Sequence, residues 1–167
     1  MSYNITGKLR IFLNLLFEKV LDLSVAEDNL TLSAQLVFTY GTGANQINKI
    51  YHETRVLADG ANATLNLYDS GTLKDSFGND LAISALKLLY IKNNSADATL
   101  LLFGGNSADI PICSNANDQI KIKPGGIFPW IDLSAAGTVI STNKNLRIEH
   151  DGTGTETMAV DIIVGGI

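Results

Sequence analysis

Side chains able to do chemistry are scarce in this 167-residue chain, which has one cysteine, two histidines, one tryptophan, three prolines and 17% charged residues. Each scarcity excludes something. One cysteine, Cys113, can form no internal disulfide and no cysteine-based metal cluster, and it reads as a small core filler. Cys113, His52 and His150 are the residues available for a cysteine or histidine catalytic site, yet they lie far apart and none sits in a nucleophile motif. No catalytic residue is expected. Lys and Arg together number 12 against 17 Asp and Glu, a formal net charge of -5, whereas a phosphate-backbone binder needs a basic face. Nucleic acid is therefore not an expected partner. No run approaches the roughly 20 apolar residues of a membrane helix, so no membrane partner is expected either. Lys8 and Arg10 ahead of an apolar run imitate a signal peptide, but Glu18 and Lys19 stand where a small-residue cleavage site belongs. Synthesis in a cytoplasm is expected instead.

Two loops invite a ligand and fall short. Gly41-Thr42-Gly43-Ala44-Asn45-Gln46 lacks the third glycine of a phosphate loop, and no helical pattern follows it. Asp151-Gly-Thr-Gly-Thr-Glu156 offers two carboxylates where a calcium loop needs several at fixed spacing. Neither a cofactor nor a metal is expected.

Turn-forming Asn, Thr, Ser and Gly are abundant, and 46% of residues are hydrophobic, a composition suited to short strands joined by many turns. Residues 83 to 93 carry strand formers on both faces and predict a central strand covered on both sides. Strict alternation recurs at 33 to 40, 119 to 123, 146 to 150 and 158 to 164. Asp59-Gly60 is a hairpin signal leading into 63 to 67, a short strand is expected at 110 to 113, and Pro129 marks its strand as an edge or a bulge. Eight to ten strands with no convincing helix after residue 20 predict an all-β antiparallel sandwich, jelly-roll-like, over 21–167. Leu36, Phe38, Leu65, Leu89, Ile91, Leu101, Ile148 and Ile162 are the expected core.

Residues 1–20 form a separate expectation, a short N-terminal apolar arm or a first strand. Leu9, Phe12, Leu13, Leu16, Phe17 and Val20 fit helical spacing, while Leu9, Ile11, Leu13, Leu15 and Phe17 fit strand spacing equally well. Trp130, beside Phe128, is either core packing, an interface anchor or a sugar-stacking platform.

Several stretches together carry a resemblance: Gly41-Thr42-Gly43-Ala44, Ile50-Tyr51-His52-Glu53-Thr54-Arg55, Phe77-Gly78-Asn79-Asp80-Leu81, Leu89-Tyr90-Ile91-Lys92-Asn93, Pro124-Gly125-Gly126-Ile127-Phe128 and Val160-Asp-Ile-Ile-Val-Gly-Gly166. Over about residues 20 to 166 the chain resembles small all-β virion structural proteins of tailed bacteriophages. The resemblance implies a capsid decoration or cement subunit in the virion, with no enzymatic step, contacting the major capsid protein or other virion proteins and assembling as a homotrimer. Leu9, Ile11, Phe12, Leu13, Phe17 and Trp130 are the expected interface residues. A phage tail protein, or an adhesin-type carbohydrate-binding sandwich, is the alternative.

Overall fold

A computed structural model describes residues 4–20, 25–105, 108–115, 118–152 and 157–167. Strands account for 59% of the chain, and no helix occurs among the described residues. In chain order the strands are β1 (Thr6–Val20), β2 (Val25–Tyr40), β3 (Gln46–Ile47), β4 (Lys49–Leu57), β5 (Asn62–Asn66), β6 (Leu73–Lys74) and β7 (Asp80–Leu81). There follow β8 (Ala85–Asn93), β9 (Leu100–Phe103), β10 (Gln119–Ile122), β11 (Ile127–Ile131), β12 (Thr138–Val139), β13 (Asn145–His150) and β14 (Met158–Gly166). Alternating β-branched and apolar residues flanked by Gly, Asn and Asp give the strand pattern its physical basis.

The chain divides into two compact units, Met1–Tyr40 and Gly41–Ile167. In the first, β1 and β2 form one long antiparallel hairpin with Thr6 opposite Thr39 and Val20 opposite Val25. The strand spacing of residues 5 to 20 prevails over the helical one, because β2 supplies a partner for every position of β1. The division falls at Tyr40 and not at residue 20: the alternating segment 33 to 40, expected in the sandwich, belongs to the hairpin.

The second unit is an all-β sandwich of two antiparallel sheets. One has the order β11-β8-β14-β4, with β12 also on β8; the other has the order β10-β9-β13-β5. A single apolar cluster lies between them, drawing Leu89 and Ile91 from β8 and Val160, Ile162 and Val164 from β14. From the other sheet come Leu65 (β5), Leu100 and Leu102 (β9), and Leu146 and Ile148 (β13). As expected, β8 is central and buried on both faces over much of its length. The last strand closes against it so tightly that a Cβ at Gly166 would lie 2.3 Å from the Ala85 carbonyl oxygen.

Several expectations need correction. Asp59-Gly60 does make a tight turn, with the Ala61 amide donating to the Ala58 carbonyl at 2.9 Å, but β4 and β5 do not pair. The turn carries the chain from one sheet to the other, where β5 meets β13. Residues 110 to 113 form no strand; the nearby pairing is a single parallel bridge between Asp109 and Asn145. Leu101 is only half-buried, because the parity of β9 turns Leu100 and Leu102 inward. Leu36 is likewise half-buried on the hairpin. The described strands number fourteen, above the eight to ten expected, since several are two-residue pairings that alternation cannot register.

Candidate functional site

Two exposed surfaces stand out, one in each unit. On the hairpin, the register stacks Leu9 opposite Leu36, Ile11 opposite Ala34, Leu13 opposite Leu32 and Leu15 opposite Leu30, all on one face. Ile11, Leu13, Leu15, Leu30 and Leu32 are each between 40% and 55% exposed. The opposite face is mixed: Lys8, Arg10 and Asn14 lie there with Phe12 and Leu16, and Glu18 faces Glu27 directly. Arg10 donates from Nε to Gln35 Oε1 across the strands at 2.8 Å.

The expected interface residues Ile11, Phe12 and Leu13 are thus exposed, with Phe12 at 68%, and Leu9 is half-buried. Phe17 pairs with Asp28 along the backbone, and its side chain lies outside the described residues. Trp130 differs from the others: it sits half-buried on β11 with its side chain against the sandwich core, as does Phe128. Its inner side packs at a sheet edge, while Pro129, between Phe128 and Trp130, takes the outward position.

On the sandwich, the outward face of the β11-β8-β14-β4 sheet aligns His52, Ile163, Tyr90 and Pro129 in one row, as the register pairs Ile163 with both His52 and Tyr90, and Tyr90 with Pro129. A second row runs Thr54, Asp161, Lys92 and Ile127, with the Thr54 hydroxyl donating to Asp161 Oδ1 at 2.7 Å. Hydrogen bonds from Asn94 and Thr54 hold the Asp161 carboxyl below its ordinary pKa.

Beside this face stands the loop between β6 and β7. Asp75 organises it: Oδ1 accepts from the amides of Phe77 and Asn79, each at 2.9 Å, and the Asp75 amide donates to the Asn79 carbonyl at 2.9 Å. Hydrogen bonding from Asn79 lowers the Asp75 pKa. Gly78 supplies the left-handed conformation the turn requires, at φ 82°. Phe77 is carried at the tip, 78% exposed, and Ser76 Oγ lies 2.9 Å from His52 Nε2, which ties the loop to the sheet. The hydrogen bonds fix the backbone that carries this exposed Phe, so the loop has less to order on contact, which suits an anchor. Gly78-Asn79-Asp80 has the residue types of a turn, but nothing in the sequence signals that Phe77 faces outward.

The three candidate catalytic groups sit on different elements with different partners. His52 is on the outer sheet face with Ser76, whereas His150 is fully buried at the end of β13, with Nδ1 accepting from the Gly152 amide at 3.1 Å and lying 3.6 Å from Asp59 Oδ1. Cys113 is half-buried in the connection after β9, and desolvation, with the Asp118 charge second, pushes its thiol pKa up, away from the reactive thiolate. No group of three His, Cys, Asp or Glu side chains able to hold a metal occurs among the described residues. Residues 153 to 156 of the acidic loop lie outside the described residues. No helix among the described residues is long and apolar enough to cross a membrane.

The loop over residues 41 to 46 has a support that sequence reading missed. Lys87, in the middle of β8, is fully buried, and its ammonium donates to the carbonyl oxygens of Gly43 at 2.7 Å and Ala135 at 3.1 Å. It pins two loops to the central strand. Comparison with known proteins finds no matching family model, no matching curated protein and no matching solved structure.

Proposed function

We propose that this chain is a structural subunit of a tailed-phage virion, of the capsid decoration or cement kind, that strengthens a lattice by many modest non-covalent contacts. The observation that carries the proposal is the display of apolar side chains on stiff supports, above all Phe77 on its Asp75-centred loop next to the Ile163, Tyr90 and Pro129 row. A partly apolar sheet face beside an exposed aromatic suits a broad protein partner. Repetition over a lattice turns such contacts into durable attachment. The resemblance in the loops and strands supports the same reading. Its partners are the major capsid protein or other virion proteins, together with further copies of the chain, and no chemical step is assigned to it.

The test is attachment to particles. Purified heads from an infected lysate should carry the protein at a fixed ratio to the major capsid protein, measured by quantitative mass spectrometry. Phe77→Ala should lower occupancy at limiting protein by about tenfold, the size expected of one anchor residue, while the urea midpoint stays within error. A chain absent from purified particles, or a Phe77→Ala variant that attaches like the parent, contradicts the proposal.

A further inference from the structure

We propose that the outer edge of β1 is a self-association surface, occupied by β1 of a second copy in an antiparallel, two-fold pair. The pair forms in the free protein and does not depend on the virion reading. The edge of β1 contrasts with the two edges of the β11-β8-β14-β4 sheet. In the sandwich, edge strand β11 carries Pro129, which has no amide to donate, and edge strand β4 carries the inward-turned Glu53 and Arg55, joined by Nε to Oε1 at 2.7 Å and Nη2 to Oε2 at 3.1 Å. Both devices discourage pairing with another chain.

β1 has neither. Among the described residues it pairs with β2 alone, it holds no proline over 15 residues, and its other row of backbone donors and acceptors has no strand beside it along about 50 Å at roughly 3.4 Å per residue. A two-stranded ribbon is marginal in water by itself, and three or more strands with an apolar face are stable. A second copy is the partner that brings an identical edge.

The middle of β1, residues 10 to 18, is self-complementary when read against its own reverse. With the two-fold axis through Asn14, Asn14 faces Asn14, Leu13 faces Leu15, Phe12 faces Leu16 and Arg10 faces Glu18, each unlike pair occurring twice. Over residues 10 to 18 polar meets polar, apolar meets apolar and opposite charges flank the stretch; outside it the same register sets Leu9 against Lys19 and Lys8 against Val20. The axis is perpendicular to the sheet, so the Leu9, Ile11, Leu13 and Leu15 faces of the two copies lie on the same side and merge into one apolar surface twice as wide. Within one chain Arg10 and Glu18 stand on one strand about 27 Å apart at roughly 3.4 Å per residue, too far to interact. Coupling between them therefore reports on a second copy.

The experiment is charge exchange in the full chain, read by sedimentation equilibrium at low salt with far-UV circular dichroism as the check on folding. The parent protein should be a dimer. Arg10→Glu should raise its dissociation constant about tenfold or more by bringing a second carboxylate against Glu18 of the other copy, and Glu18→Arg should do the same by setting two arginines together. The double variant Arg10→Glu/Glu18→Arg should return to the parent value. A parent that sediments as a monomer, or as the trimer implied by the phage resemblance, overturns the inference, as does a double variant no tighter than the single ones. A parent that is monomeric in buffer yet floats with neutral phosphatidylcholine vesicles overturns it too, and assigns the hairpin to lipid.

Discussion

Lys87 shows how much a single residue can organise. A fully buried ammonium is costly to desolvate, and here two backbone carbonyls from different loops compensate it, with the nearby Asp132 carboxylate adding an opposite charge. Asp132 in turn fastens its own loop, accepting from the Ser134 amide at 2.9 Å and the Thr138 hydroxyl at 2.9 Å. Lys87→Ala should therefore cost about 2 to 4 kcal/mol in urea unfolding, since two buried acceptors lose their donor and the lysine stem leaves a void. A midpoint unchanged from the parent would show that water replaces the ammonium without penalty. Nothing in the sequence marked this lysine. It stands in an apolar strand at an alternating position, where a charged residue reads as solvent-facing, and only the arrival of Gly43 and Ala135 makes an inward lysine tolerable.

Strands were legible where one face is wet and the other dry. β13 and β14 alternate cleanly, and Ile148, Val160 and Ile162 are buried as their parity demands. Parity failed at β9, because Leu100, Leu101 and Leu102 are chemically equivalent and only pairing with β10 and β13 decides which of them turn inward. Leu102→Ala should accordingly cost about 2 to 5 kcal/mol, and Leu101→Ala clearly less, by chemical denaturation of the two variants side by side. Equal losses would mean that the register of β9 is wrong. Pairing choices were the least legible feature. Asp59-Gly60 has the chemistry of a hairpin turn, and the turn forms, but where the next strand goes depends on partners distant in the chain, such as Arg147 opposite Thr64. The exposed surfaces were half legible: Ile11, Phe12 and Leu13 could be named as contact material, whereas Phe77 could not, because its exposure follows from the Asp75 hydrogen bonds around it.

For the molecule as a whole, the titrating groups define a pH window. Asp69, held low by Lys144 and then Asn66, joins Asp75, Asp132 and Asp161 in having a folded pKa below the ordinary value of about 3.9. The stability they contribute is complete above that value and is lost as pH falls through and below it. At the other end, burial and then the Glu53 hydrogen bond push the Tyr51 hydroxyl up to about 12, so its contribution is intact below about 10 and is lost as pH rises toward 12. Urea midpoints should be level between about pH 5 and 9 and lower at both about pH 3 and about pH 11.5, with an ultraviolet titration showing a tyrosine, absent from Tyr51→Phe, that ionises well above 10. A midpoint in the acid equal to that at neutral pH would contradict the acid limb. The order of strands also governs when this molecule can first exist. β14 runs between β8 and β4, so the last of the described strands is an interior member of its sheet. During synthesis, the ribosome must release Gly166 before that sheet can close, and until then the core-facing residues of β4 and β8 have no strand between them. The β1–β2 hairpin needs no residue beyond Tyr40 for its own pairing, and a second copy of it can supply the further strands that make such a ribbon stable. Nascent chains on neighbouring ribosomes can thus meet through their hairpins before either sandwich has folded.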